Sequence, residues 1–354
     1  MADSGRMPHA MLLLGPQGCG ALGLALAYVQ YVLCRHKEGG ESCGKCSDCT
    51  KAIKFIHPDI HFSYPVIKSE KQKDPPISTQ YLKEWRMMLG DNVYMDVNQW
   101  LEKLGGENKQ GNITARECVE IVKKLSLKTF EASHKVVVMW LPEYLGNEGN
   151  RLLKLIEEPP DDTLFVLVAE NQERILNTIL SRCQLIQING LTDEEISSGL
   201  LDRGVPKEDA MAVAHLADGD LNEALRLASN EENDNAGLFL NWMRSCYKGN
   251  GGELVEWSEK LAAIGRERQK LLFKYSLHFL HELMVMNLTG NENVRLRNNE
   301  LTTAKGMNGR VLDFEKITKL VPMFDQCSYH IERNANPKIL FLDTSIKVNK
   351  IMRS

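Results

Sequence analysis

In the first half of the chain, apolar residues fall into short unbroken blocks, and several of the stretches between them carry apolar residues at helical spacing. Ala10–Leu14 is wholly apolar and ends at a glycine turn, which predicts a buried strand. Gly20–Leu33 continues as one helical run. Asp59–Val66, just after Pro58, predicts a second strand. From Ile113 to Leu127 the apolar positions 113, 118, 121, 122 and 125 have helical spacing. Lys135–Leu141 and Thr163–Ala169 are two further apolar strands, and Gln184–Ile188 is a fifth. Asn150–Glu157 reads as helix and must stop at Pro159-Pro160, because proline cannot continue the backbone bonding. Apolar strands alternating with helices imply an α/β domain with a parallel sheet covered on both faces.

After Leu191 the strand pattern ends. Thr192-Asp193-Glu194-Glu195 looks like a helix start, with a threonine followed three residues later by an acid. Short helices are expected to about Ser229, then a polar linker at 231–235, then a helical remainder with a polar break around 287–309. Lys68–Pro76 and Gly105–Gly111 read as solvated loops. The expected organisation is an α/β domain over 1–190, a small helical domain over 191–232 and a helical C-terminal domain over 237–354.

Composition narrows the class. Of 354 residues, 43% are hydrophobic and 25% charged, ordinary for a globular protein. The apolar run near the start is too short to cross a bilayer, and Gly15-Pro16-Gln17-Gly18 interrupts it, so neither a membrane span nor a signal peptide is expected and the cytoplasm is the default compartment. A net charge of −4 makes DNA a poor candidate for sole partner. Nine cysteines in such a compartment argue for a metal or buried thiols rather than disulfides.

Three motifs carry candidate chemistry. Gly15-Pro-Gln-Gly-Cys-Gly20 lies between a predicted strand and a helix, the context of a phosphate-binding loop in which backbone N–H groups point inward. Gly15, Gly18 and Gly20 are its candidate phosphate-facing positions. Its spacing matches the first half of GxxxxGK[ST], but Ala21 and Leu22 stand where the phosphate-binding lysine and the Mg²⁺-binding hydroxyl belong. The strand Val136–Met139 leads into Trp140 and Leu141, where an ATPase would place its acids, and Glu143 comes two places late behind a proline. Cys34-x₈-Cys43-x₂-Cys46-x₂-Cys49 has the donor set of a closed, structural zinc site. His36 could replace Cys34, and Glu38, Glu41 and Asp48 dilute the local basic charge.

These residues, with HPDI (57–60), NRLLKLIEEPP (150–160), ILSRCQLI (179–186) and, more loosely, NPKILFLDTSIKV (336–348), resemble the delta-prime subunits of the bacterial DNA polymerase III clamp loader, within the AAA+ superfamily. The resemblance implies an AAA+ P-loop domain with a parallel sheet, a helical lid and an all-helical collar that joins a hetero-pentameric ring. It implies gamma/tau and delta subunits as partners, a weak contact with the sliding clamp, and primer–template DNA reached through the assembled complex. It also implies that Arg182, with Ser181 in the Ser-Arg-Cys motif, projects into the ATP site of an adjacent gamma/tau subunit while no ATP is hydrolysed here. A guanidinium supplied in trans can be worth ~10³–10⁵ in phosphoryl-transfer rate. Asn222 occupies the nearest slot to a nucleotide-sensing arginine, although a helix start capped by Asp220 is the simpler reading of that stretch. The family usually has a longer segment before the first strand than Met1–Arg6, so an N-terminal helix is expected to be missing, and the loop Lys68–Pro76 has no family counterpart. The competing readings are an active gamma/tau-type AAA+ ATPase and a zinc-dependent nucleic-acid-binding module.

Overall fold

The computed structural model describes residues 7–68, 73–106, 109–229, 235–290, 294, 296 and 298–354. The expectations placed on Met1–Arg6, on most of the 231–235 linker and on the middles of the two loops lie outside these residues. The chain divides into two compact units, one comprising 1–192 with 219–223, the other 193–218 with 224–354.

The first unit contains, in order, β1 (Ala10–Leu14), α1 (Ala21–Leu33), α2 (Ser47–Ile53), β2 (Ile60–Ser63), α3 (Leu82–Asp91), α4 (Val97–Lys103), α5 (Ala115–Leu125), β3 (Lys135–Trp140), α6 (Leu153–Glu157), β4 (Thr163–Ala169), α7 (Asn177–Leu180) and β5 (Gln184–Gln187). The strands form one parallel sheet in the order β2-β3-β4-β1-β5. Successive side chains of a strand point to opposite faces, so each apolar run feeds two cores. Met11, Leu13, Val136, Val138, Val166 and Val168 pack with α1 and with Trp85 and Trp100. Leu12, Val137, Met139, Phe165 and Leu167 pack with α5, α6 and α7 through Cys118, Ile121, Ile156 and Ile179. The α/β class expected from the pattern is the class found. β5, the fifth expected strand, lies at the sheet edge and leaves Leu185 half exposed.

Two local readings change. The helix expected at Asn150–Glu157 is α-helical only over α6; the preceding 142–152 is a run of tighter 3₁₀ turns broken at Gly146, whose φ of 50° falls in the left-handed region. The segment between β2 and α5, read only as loop at its ends, contains α3 and α4. Tyr64 stacks on Trp85 at 4.1 Å, and Trp100 meets Trp85 edge-on at 5.2 Å. Trp100 donates its indole N–H to the Pro65 carbonyl at 2.7 Å. These rings close one end of the sheet.

The second unit is helical: α8 (Asp193–Leu201), α9 (Lys207–Ala217), the later part of α10 (Leu221–Ser229), α11 (Asn235–Lys248), α12 (Gly251–Ala263), α13 (Arg266–Thr289), α14 (Asn298–Met307), α15 (Phe314–Glu332) and α16 (Pro337–Arg353). Its core is aromatic, with Phe273 stacked on Phe341 at 5.2 Å and Trp242 donating to Ser345 Oγ at 2.8 Å. No helix of the described residues is long and apolar enough to cross a membrane.

Candidate functional site

The glycine loop has the backbone of a phosphate cradle. Gly15 N donates to the Ala169 carbonyl, and Gly18 and Gly20 sit at φ 69° and 85°, a region glycine enters without penalty. α1 then opens with no side-chain cap on its N-terminus. What fills the cradle is the chain itself. A β-carbon on Gly18 would fall 1.8 Å from Asp220 Oδ1, and one on Gly20 would meet the Tyr94 ring at 3.0 Å. Gln17 Nε2 donates to Asp220 Oδ2 at 3.3 Å, and Leu221 N to the Gly18 carbonyl at 3.2 Å. A small pocket of about 30 Å³ remains beside the loop, lined by Tyr94, Met95, Trp140 and Glu170. Asp220 also accepts from Glu223 N at 3.0 Å, so it caps α10, as the simpler reading expected. Asn222 is buried, accepting from Asn92 at 2.7 Å rather than facing a ligand.

The strand ends above the loop are acidic but not arranged for Mg²⁺. Trp140 and Leu141 are buried. Glu143 Oε1 accepts from the amides of Glu170 (2.6 Å) and Asn171 (2.8 Å), tying the end of β3 to the end of β4. Burial pushes Glu170 up to about 7, with the negative charges of Glu143, Asp96 and Asp220 adding to the shift. With an ordinary value near 4.5 in the unfolded chain, Glu170 binds more protons folded than unfolded between those limits. Its stability contribution is therefore present in acid and lost as pH rises to about 7. At about 1.4 kcal/mol per pKa unit, Glu170→Gln should stabilise the chain at pH 8 by roughly 2–3 kcal/mol and by almost nothing at pH 4.5; urea denaturation at both values checks this.

The four clustered cysteines converge. All nine cysteines are free thiols, and the Sγ atoms of Cys34, Cys43, Cys46 and Cys49 lie within 4.8 Å of one another. A tetrahedral zinc with bonds of ~2.3 Å spaces its sulfurs by roughly 3.8 Å, so a small contraction would seat one. The amides of Cys43, Cys46 and Cys49 donate to the sulfurs of Cys34, Cys43 and Cys46 at 3.2–3.4 Å. Burial opposes ionisation of Cys46, yet amide hydrogen bonds from Cys49 and Arg35 outweigh it and hold the thiol at about 6. Burial, with hydrogen bonds to Cys46 and Cys34, pushes Cys49 up to about 12. The cluster thus retains a proton that a dication would displace. The donor set fits zinc. Cys46 caps α2 and Cys49 lies in its first turn.

Behind the thiols stands a polar strut that sequence reasoning missed. Asp48 is fully buried, accepting from Arg35 Nε at 2.5 Å and from His57 Nε2 at 3.3 Å. His57 Nδ1 accepts from Asp59 N, so the ring proton sits on Nε2, facing Asp48. Asp59 in turn accepts from the amides of Phe130, Glu131 and Ala132. The HPDI stretch, quoted above only for resemblance, thus links α2 to the loop before β3.

Arg182 lies just beyond α7. Its Nε donates to Glu157 at 3.1 Å and its Nη1 to the Thr178 carbonyl at 2.9 Å, with Ser181 Oγ at 3.4 Å. Its Nη2 has no hydrogen-bond partner among the described residues. The side chain is 31% exposed and its carboxylate partner 56%. Loop, cysteines and Arg182 are separate sites of one unit; the fold does not bring them into one pocket.

A family model described as DNA polymerase III, delta subunit matches residues 1–192, which hold the loop, the thiol cluster and Arg182. The chain belongs to this delta-subunit family. Among its relatives, the DNA polymerase III subunit delta' of Bacillus subtilis is 26% identical over 232 residues, 65% of this chain and 56% of that protein. That of Escherichia coli is 29% identical over 226 residues, 64% and 56% of the two chains. The chain spans about half the length of the curated relatives it matches. A solved gamma subunit-related protein from Thermotoga maritima aligns over 99% of this chain and 98% of its own at 14% identity, with a TM-score of 0.38. In this member of the delta-subunit family, the occluding residues Asp220, Tyr94 and Glu170 had no local signal, because they meet the loop only through the fold.

Proposed function

We propose that this chain is a delta-prime-type clamp-loader subunit of a cytoplasmic DNA polymerase III, which hydrolyses no ATP and lends Arg182 to the ATP site of a neighbouring gamma/tau subunit. One contrast carries the reading: a phosphate loop plugged by the chain's own Asp220 carboxylate, beside a guanidinium that Glu157 holds at the surface. The family supports the assignment, since relatives named subunit delta' and subunit tau both match the chain. On this reading Cys34, Cys43, Cys46 and Cys49 hold a structural zinc. Residues 1–190 form the AAA+ domain, 191–232 a lid and 237–354 a collar that assembles with gamma/tau and delta. The sliding clamp and primer–template DNA are met through the complex.

The deciding experiment titrates the isolated chain with Mg-ATP and then mixes it with a gamma/tau-type ATPase. Alone, it should show no binding tighter than about 1 mM, a limit of roughly −4 kcal/mol, and no turnover. Mixed, it should co-purify with the ATPase and raise its rate. Brisk hydrolysis by the solitary chain would return the reading to an active ATPase. Tight, strongly salt-dependent DNA binding by the solitary chain would favour the nucleic-acid module.

A further inference from the structure

The helical unit contains a second group of metal-ligating side chains. His278 and Glu282 lie one turn apart on α13, so they share a face. His215, in the last turn of α9, meets them: its ring lies 4.9 Å from that of His278, and its Nε2 lies 3.6 Å from Glu282 Oε1. One ligand atom from each of the three lies within 4.8 Å of the others. Asp193, the first residue of α8, contacts His215 Nδ1 at 3.0 Å. That is the arrangement by which a carboxylate fixes an imidazole with its proton on one nitrogen and its lone pair on the other.

The distances suit a shared ion. At 3.6 Å, Nε2 and Oε1 are too far apart for a hydrogen bond. Two ligands of one tetrahedral ion, each at ~2.0–2.2 Å, stand roughly 3.4 Å apart. His215 and His278 line an open cavity of about 720 Å³, together with His281. Two imidazoles and a carboxylate suit a divalent transition ion, with the fourth position left to solvent or a small ligand.

We infer that His215, His278 and Glu282 bind a zinc-type divalent ion, positioned by Asp193, which fastens α9 to α13 independently of the cysteine cluster. The test is a difference in zinc content, by equilibrium dialysis of the full-length chain against buffered zinc. Wild type should bind one more ion than His278→Ala. Asp193→Asn should weaken that ion about tenfold without abolishing it. Glu282→Gln, nearly isosteric, should weaken it further with helix content by circular dichroism unchanged, which guards against misfolding of the alanine variant. Equal zinc content and affinity in wild type, Glu282→Gln and Asp193→Asn would mean that His215 simply bridges two carboxylates with no ion between them, and the inference fails.

Discussion

Arg182→Ala, reconstituted with a gamma/tau-type ATPase, should lower hydrolysis at the site it serves by about 10³-fold or more while leaving the chain folded. The two halves of this expectation rest on different magnitudes. A guanidinium that meets a transferring phosphoryl group acts in a water-poor site, where charge stabilisation is large. In the isolated chain the same group only pairs with Glu157, and both side chains are partly exposed. Exposed pairs of this kind contribute about 0–1 kcal/mol, so the melting temperature should barely move. Arg182→Lys should recover only part of the rate, because an ammonium lacks the planar fork. Glu157→Gln should cost less than Arg182→Ala, since Glu157 orients the guanidinium and the Thr178 carbonyl holds it as well. Single-turnover hydrolysis by the mixed complex reads all three. A full rate from the Arg182→Ala complex would leave the trans role without support.

The residues behind this expectation were legible to very different degrees. Strands β1, β3 and β4 could be read from sequence because a parallel strand buried on both faces has to be apolar throughout. The absent lysine at Ala21 and the absent acids at Trp140 and Leu141 were equally plain, since each lies at a fixed step from a strand end. α3 and α4 were not legible: their apolar residues Trp85 and Trp100 pack against Tyr64 and against each other, a pairing that only the folded sheet brings about. β5 was legible as a strand, but its place at the sheet edge was not, because an edge strand and an inner strand can carry similar short runs. Asp220 could be read as a helix cap, but its second role, plugging a loop some 200 residues earlier, has no local trace. In the sequence Asp48 stands out only as an acid that dilutes the local basic charge. It is buried because Arg35 pairs with it on one side and His57 hydrogen-bonds it on the other.

Cys46→Ser should release the zinc and open residues 34–57 while the sheet and the helical unit stay folded. Structural zinc in a small module is worth on the order of 10 kcal/mol of binding free energy, gained only when the ligands are already gathered. Little else closes this segment. Its helix α2 spans seven residues, too few to stand alone, and Cys43 and Cys46 are partly exposed. The remaining support is the Asp48–His57–Asp59 strut, whose charged hydrogen bonds contribute about 1.5–3 kcal/mol each, with the Lys51–Glu131 ion pair and the Arg35 bond to the Glu131 carbonyl beside it. Once the metal is gone, Asp48 keeps its buried charge but loses the loop that positions Arg35 over it, so the strut weakens with the cluster. The sheet cores, built from β1, β3 and β4 with α1 and α5, do not depend on that loop. The expected result is one zinc fewer by elemental analysis and new protease cleavage between 35 and 57. Hydrogen exchange should stay slow in β1, β3, β4 and α13. If the unmutated chain carries no metal at Cys34, Cys43, Cys46 and Cys49, or if the serine variant retains it, then the thiol spacing has another cause and the strut alone must hold the segment.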